Sequence, residues 1–185
     1  MAAFTPIPLT PVPLVFDLGI LPDASPGNPD FDAIVRWPFA DAYVTRLLED
    51  DVRQRVWLNR CRIWIYYDPD HRQVGFGTLD VCEDYREFAA GRPHPYIPLL
   101  AVNPNIESLG FGTTIVRHLI AEAALLACQP GLCHDVLFLD VYTTNTKAIN
   151  VYKKCGFESV TDLPVADPQE GGKEYIVMAQ RVSVA

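Results

Sequence analysis

The chain has 185 residues, 49% of them hydrophobic and 21% charged, a balance that suits one well-buried globular domain and excludes a disordered class. Its formal net charge of −8 sets a field that repels nucleic acid and anionic lipid and mildly attracts cations and amines. No uninterrupted apolar run approaches the roughly 18 residues of a bilayer crossing, so neither a membrane nor a nucleic acid is an expected partner.

Residues 1–13 alternate apolar side chains with prolines at 6, 8, 11 and 13, a polyproline pattern that dictates no further structure. The segment lacks the basic flank of an export signal. Leu14–Leu18 is a candidate first strand, and LPDASPGNPD (21–30) is a loop by its turn residues. From there Phe39, Tyr43, Leu47, Leu48, Val52 and Val56 recur at helical spacing, which predicts one amphipathic helix. CRIWIYYD (61–68) and QVGFGTLDV (73–81) are β-rich runs joined by a short polar link, hence a hairpin.

After a connection at 85–94 with room for one helical turn, PYIPLLAV (95–102) is a strand. It leads into a glycine-bearing loop and a helix from about Gly110 to Ala127, which Gln129-Pro130-Gly131 stops. Val116, Leu119, Ile120, Ala123 and Ala127 line one face of that helix. DVLFLDVY (135–142) reads as a buried strand, Asn145 to Cys155 as a second helix with Gly156 at its C′ position, and FESVTDL and EYIVMAQRV as closing strands. The class is α/β (α+β), with a mixed sheet of about seven strands flanked by helices. Residues 1–30 form a Pro-rich lead with a first strand and 31–185 the main domain; a homodimer joined through the terminal strands is one arrangement this order permits.

In ESLGFGT (107–113) two glycines stand one residue apart where strand gives way to helix. Amides at the start of a helix lack intrahelical acceptors, and the aligned peptide dipoles add partial positive charge, so bare backbone from Ser108 through Thr113 suits a diphosphate. A dinucleotide fingerprint would need glycine where Ile115 stands, and a P-loop would need a Gly-Lys-Ser/Thr run that is absent. About 30 residues on, LDVYTTNTKAINVYKKCGF sets Asn145 at a helix start, with Ala148 and Tyr152 one turn apart on one face.

Together these segments resemble the GNAT superfamily, the acyl-CoA-dependent N-acyltransferases. The superfamily's loop, Gln/Arg-x-x-Gly-x-Gly/Ala after a strand ending Val-x-Pro, is matched by Val102-Asn103-Pro104 and Gly110-Phe111-Gly112, with Glu107 in place of Gln or Arg. Its later pattern, Asn-x-x-Ala-x-x-x-Tyr-x-x-x-Gly-Phe, is matched in full by Asn145, Ala148, Tyr152, Gly156 and Phe157. The resemblance covers roughly residues 60–183. It implies a single domain with a splayed sheet that moves the acetyl group of acetyl-CoA to a primary amine by direct attack, through a tetrahedral intermediate.

Position by position, the resemblance implies that the amides of Ser108, Leu109, Gly110, Phe111, Gly112 and Thr113 cradle the pyrophosphate of acetyl-CoA. Leu100, Ala101 and Val102 would pair with the pantetheine arm like an added strand, and Asn145 would hold the same arm from the other side. Glu107 implies a weaker grip on the pyrophosphate or a side chain turned to solvent. Tyr152 would sit beside the thioester sulfur as the acid for the departing thiolate. Asp140 occupies the position where ribosomal-protein amino-terminal acetyltransferases of this superfamily place a catalytic glutamate, and strand alternation sets it opposite Leu139 and Val141. Glu83, followed by Asp84 at the rim after the hairpin, is the other candidate base; Tyr96 matches a strand position used for a base by other members and would act through water.

The acid-rich 80–84 segment favours a small cationic amine as acceptor. A peptide or protein amino-terminal or lysine acetyltransferase, a non-catalytic acyl-CoA sensor and a structural module are the alternatives. His71, His94, His118 and His134 share no metal-binding spacing and read as surface residues. The five cysteines form no C-x-x-C pair, which points to reduced thiols in a cytoplasmic setting, with Cys155 a packing residue at a helix end.

Overall fold

The computed structural model describes residues 8–13, 29–39, 42–52, 61–82, 85, 87–89, 91–106, 110–126, 135–168 and 170–182. The proline-rich lead is more regular than its composition suggests: Thr10–Pro13 is a strand, β1, antiparallel to β2, Cys61–Tyr67. Pro11 and Pro13 are two residues apart and so face the same edge, which lets an outermost strand carry both without losing a bond to its neighbour. The candidate strand at 14–18 lies outside the described residues.

Pro29–Val35 is a helix, α1, in place of the tail of the expected loop. Pro29 occupies its first turn, where a missing N–H costs nothing, and Asp30 and Asp32 meet the positive end of the dipole. The single amphipathic helix expected from Phe39 is shorter: α2 spans Ala42–Arg46 and continues as a π-helical stretch, Leu47–Val52, while Phe39 precedes it and Val56 lies outside the described residues. The expected hairpin forms between β2 and β3, Gln73–Cys82. Asp68 sets its turn, accepting from the amides of Asp70 and Arg72 at 3.0 and 2.9 Å.

The predicted 95–102 strand is two strands, β4 (His94–Tyr96) and β5 (Leu100–Val102). Gly77 faces Leu100 and Asp80 faces Tyr96, so Ile97, Pro98 and Leu99 oppose only Thr78 and Leu79 of β3. The extra residue is a β-bulge centred on a proline that could not have donated to the ladder. Thr78 stitches the turn-off, its Oγ1 donating to the Leu99 carbonyl at 2.7 Å and accepting from the Leu99 amide at 2.9 Å.

The later elements are α3 (Phe111–Leu126), β6 (Val136–Tyr142), α4 (Thr146–Lys154), β7 (Glu158–Ser159), β8 (Val165–Asp167) and β9 (Lys173–Arg181). The sheet order is β1-β2-β3-β4-β6-β9-β7, with β5 on β3 and β8 on β9, nine strands among the described residues where the sequence suggested about seven. Among the described residues β4 and β6 pair in parallel, Tyr96 opposite Phe138.

By contacts the chain divides into two units, Met1–Thr78 with Leu99–Ile115, and Leu79–Pro98 with Val116–Ala185. The first has a core of Phe31, Ile34, Leu48, Cys61, Ile63, Ile65 and Phe76, with Trp37 tilted and Phe39 edge-on against Phe76. In the second, Ala89, Phe138 and Val177 form the centre of an apolar cluster that takes in Tyr85, Tyr96 and Tyr175. His94, read from the sequence as a surface residue, is fully buried there, its ring 4.5 Å from that of Phe138; alternation along β4 turns it to the same face as Tyr96.

Candidate active site

In the first unit the glycine loop and β5 are neighbours in sequence and each presents bare backbone. Gly110 has φ +84°, a conformation that favours glycine, and it opens α3. The amides of Thr113 and Thr114 donate to the Gly110 carbonyl at 3.1 and 3.3 Å. For Phe111 and Gly112 the helix itself supplies no acceptor, so theirs are the amides an anion would meet. The Phe111 side chain is buried, which leaves its main chain as the functional part. Ser108 and Leu109 lie outside the described residues.

On β5, Thr78 donates its amide to Leu99 and Asn103 donates its own to Val74, which fixes the alternation: Ala101 faces Phe76 of β3, and the main-chain groups of Leu100 and Val102 point to the opposite edge. Among the described residues β5 pairs with β3 alone, so that edge is open to an extended amide-bearing arm. Gly75 lets β5 and Ile115 lie close against β3; a Cβ there would lie 2.5 Å from Ile115 Cδ1 and 2.9 Å from the Ala101 carbonyl oxygen. An open strand edge followed by bare helix amides fits a pantetheine arm and pyrophosphate.

In the second unit β6 turns Val136, Phe138, Asp140 and Tyr142 to one face, and Leu139 and Val141, both buried, to the other. Asp140 therefore stands on the face that holds Phe138 and, across β9, Val177. Two phenols meet its Oδ1: Tyr96, which reaches it from β4 by a short hydrogen bond, and Tyr85, which donates at 3.4 Å. Burial pushes the Asp140 carboxyl above the usual range, the two phenol donors pull it back, and the charge of Asp167 adds to the rise. Tyr96 is itself driven well above the normal tyrosine range by burial and by the neighbouring carboxylate, so it stays a donor. Beyond it on the same face, Tyr142 donates to Asp167 Oδ2 at 2.9 Å.

Helix α4 carries the other motif. Asn145 caps it, its Oδ1 accepting from the Ala148 amide at 3.1 Å, which leaves the side-chain NH2 as the part able to reach a ligand. Gly156 ends the helix at φ +93° as expected. Tyr152 is buried with its ring 5.9 Å from that of Phe157, and burial, followed by the Asp140 and Cys155 charges, raises its hydroxyl above the ordinary value. Cys155 is pushed up by burial, which suits a packing thiol rather than a nucleophile. Glu83, the second candidate base, lies outside the described residues, as does His134. No group of His, Cys, Asp and Glu among the described residues could hold a metal ion, and no described helix is long and apolar enough to cross a membrane.

The comparisons with known proteins give the class. Residues 31–157 match the model of the acetyltransferase (GNAT) family. The match spans more than half of the chain: the protein belongs to that family, and its enzyme class is that of the acetyl-CoA-dependent N-acetyltransferases. No curated protein sequence matches the chain.

Among solved structures, the fold is similar to spermidine N-acetyltransferase from Vibrio cholerae in complex with CoA and spermine, at 17% identity over 94% of this chain and 95% of that one, with a TM-score of 0.60. It is similar also to a point mutant of the AtaT toxin bound to the C-terminus of the antitoxin AtaR, at 18% identity over 95% and 92%, with a TM-score of 0.62. A third likeness is to AtaTR bound with AcCoA, at 19% identity over 94% and 93%, with a TM-score of 0.58.

Proposed function

We propose that the protein acetylates the primary amine of a small cationic acceptor, with Asp140 as general base and Tyr152 as proton donor to the leaving sulfur. The observation that carries this reading is the half-buried Asp140 carboxyl, raised above its usual range and held by two phenols. An amine of pKa near ~10 is almost wholly an ammonium at neutral pH. It must lose a proton before it can attack, and a carboxyl whose pKa has been moved toward neutrality is the better acceptor for it.

Acetyl-CoA supplies an acyl carbon activated as a thioester. The chain's residues would divide the rest. The amides of Ser108 through Thr113, chiefly those of Phe111 and Gly112, are assigned the pyrophosphate, the Leu100 and Val102 edge the pantetheine arm, and the Asn145 amide a hydrogen bond to it. Asp140 takes the ammonium proton while the electron pair stays on nitrogen. Tyr152, kept protonated by burial, gives a proton to the departing sulfur without carrying charge beforehand. Glu83 remains the second candidate base.

A cationic acceptor is favoured by the net charge of −8 and by Asp167 next to Asp140, and the neighbour named for spermidine falls in that chemical class. The test is release of free CoA thiol with a panel of diamines, polyamines, neutral amines and amino-terminal peptides. Small cationic amines should give the highest kcat/KM; release with peptides alone would assign the protein to the amino-terminal class instead.

A further inference from the structure

Tyr85 stands in the connection after β3, 55 residues from Asp140 in sequence, and no motif marks it. It is nevertheless the second phenol on the Asp140 Oδ1. Its ring lies 6.1 Å from that of Tyr96 at 45°, and it packs with the Ala89, Phe138 and Val177 cluster. Its backbone has φ +60°, a left-handed conformation that a bulky residue adopts only where the surroundings hold it there. The neighbouring Phe88 amide donates to the Tyr85 carbonyl at 2.9 Å and so fixes the turn. Strained backbone, ring packing and hydroxyl together aim one group at one carboxylate.

We propose that Tyr85 is a positioning residue for the acetyl transfer: with Tyr96 it clamps Asp140 Oδ1, leaving Oδ2 to receive the acceptor's proton. This rests on the reading of Asp140 as the base. Two donors on one oxygen stabilise the carboxylate against the apolar cluster around it and fix which oxygen stays available. In the proton step the acceptor N–H bond breaks, its electron pair remains on nitrogen, and an O–H bond forms on Asp140. The titratable groups facing Asp140 are Tyr96 from β4, Tyr85 from the connection and Asp167 from β8, and Tyr152 of α4 feels its charge; its partner across β9, Val177, is apolar.

Tyr85→Phe keeps the ring and removes the donor. The Asp140 carboxyl, followed by 13C NMR titration of the ligand-free protein, should then titrate higher by about half a pH unit or more, and the acid limb of the kcat profile should move up with it. Asp140→Asn should abolish that limb. If Asp140→Asn removes the limb but Tyr85→Phe leaves both the NMR titration and the limb in place, Tyr85 is only a packing residue and the inference is wrong while the base assignment stands. A limb that persists in Asp140→Asn overturns both. A lower melting temperature with an unmoved titration in Tyr85→Leu would likewise mark a purely structural role.

Discussion

At the scale of single residues, the half-buried Asp140 and the buried Tyr152 are polar groups whose ionisation the fold displaces, and each displacement has a measurable sign. The folded Asp140 pKa lies above that of an open chain, so the native state binds this proton more tightly. The stability linked to it is fully present at acid pH and is lost as pH rises through the raised value. Asp140→Asn should therefore melt higher than the wild type at pH 7 to 8, with the gap closing as the pH is lowered, while activity falls; a gap independent of pH would show that the carboxylate is not the source. Tyr152→Phe should lower kcat by roughly 10²-fold with little change in CoA affinity by calorimetry. Because burial raises the Tyr152 hydroxyl above the ordinary tyrosine value, its titration should produce no basic limb below pH 9. The place of Asp140 on one strand face, of Asn145 at a helix start and of Gly156 just past a helix end was legible in the sequence, because strand alternation and helix capping are local. Tyr85 was not, since its partner is far along the chain, and neither was the burial of His94 against Phe138.

At the scale of elements, the β-bulge ends β4 before β5 begins, so the segment that bears Tyr96 pairs with β6 while Leu100 and Val102 pair with no second strand among the described residues. The sequence showed one apolar run from 95 to 102 because hydrophobicity does not register a one-residue slip; Pro98 was the only local sign of it. The same limit applies to β1 and α1, where prolines read as breakers occupy the places that tolerate them, an outer strand and a helix's first turn. Gly75 sets how closely β5 lies against β3. Gly75→Ala would place a methyl group against Ile115 and the Ala101 carbonyl; it should cost about 1–3 kcal/mol in denaturant unfolding and raise the KM for acetyl-CoA by displacing β5. An unchanged KM at reduced stability would separate packing from the strand edge's role.

At the scale of the whole molecule, the negative field and the GNAT family membership bear on both substrates. A cationic acceptor drawn by that field should show a KM that rises with ionic strength, whereas a neutral amine's should not. CoA at a hundredfold excess over its Kd should stabilise the fold by about 2.7 kcal/mol, and a chain without the site would gain nothing. Acetyl transfer by the proposed route requires Asp140 to take the acceptor's proton. Single-turnover release of CoA thiol, measured at pH 7.5 with one saturating cationic amine, compares the wild type with Asp140→Asn. A fall of roughly 10² or more in the variant, with acetyl-CoA affinity retained, is the result expected; equal rates in the two proteins would contradict it.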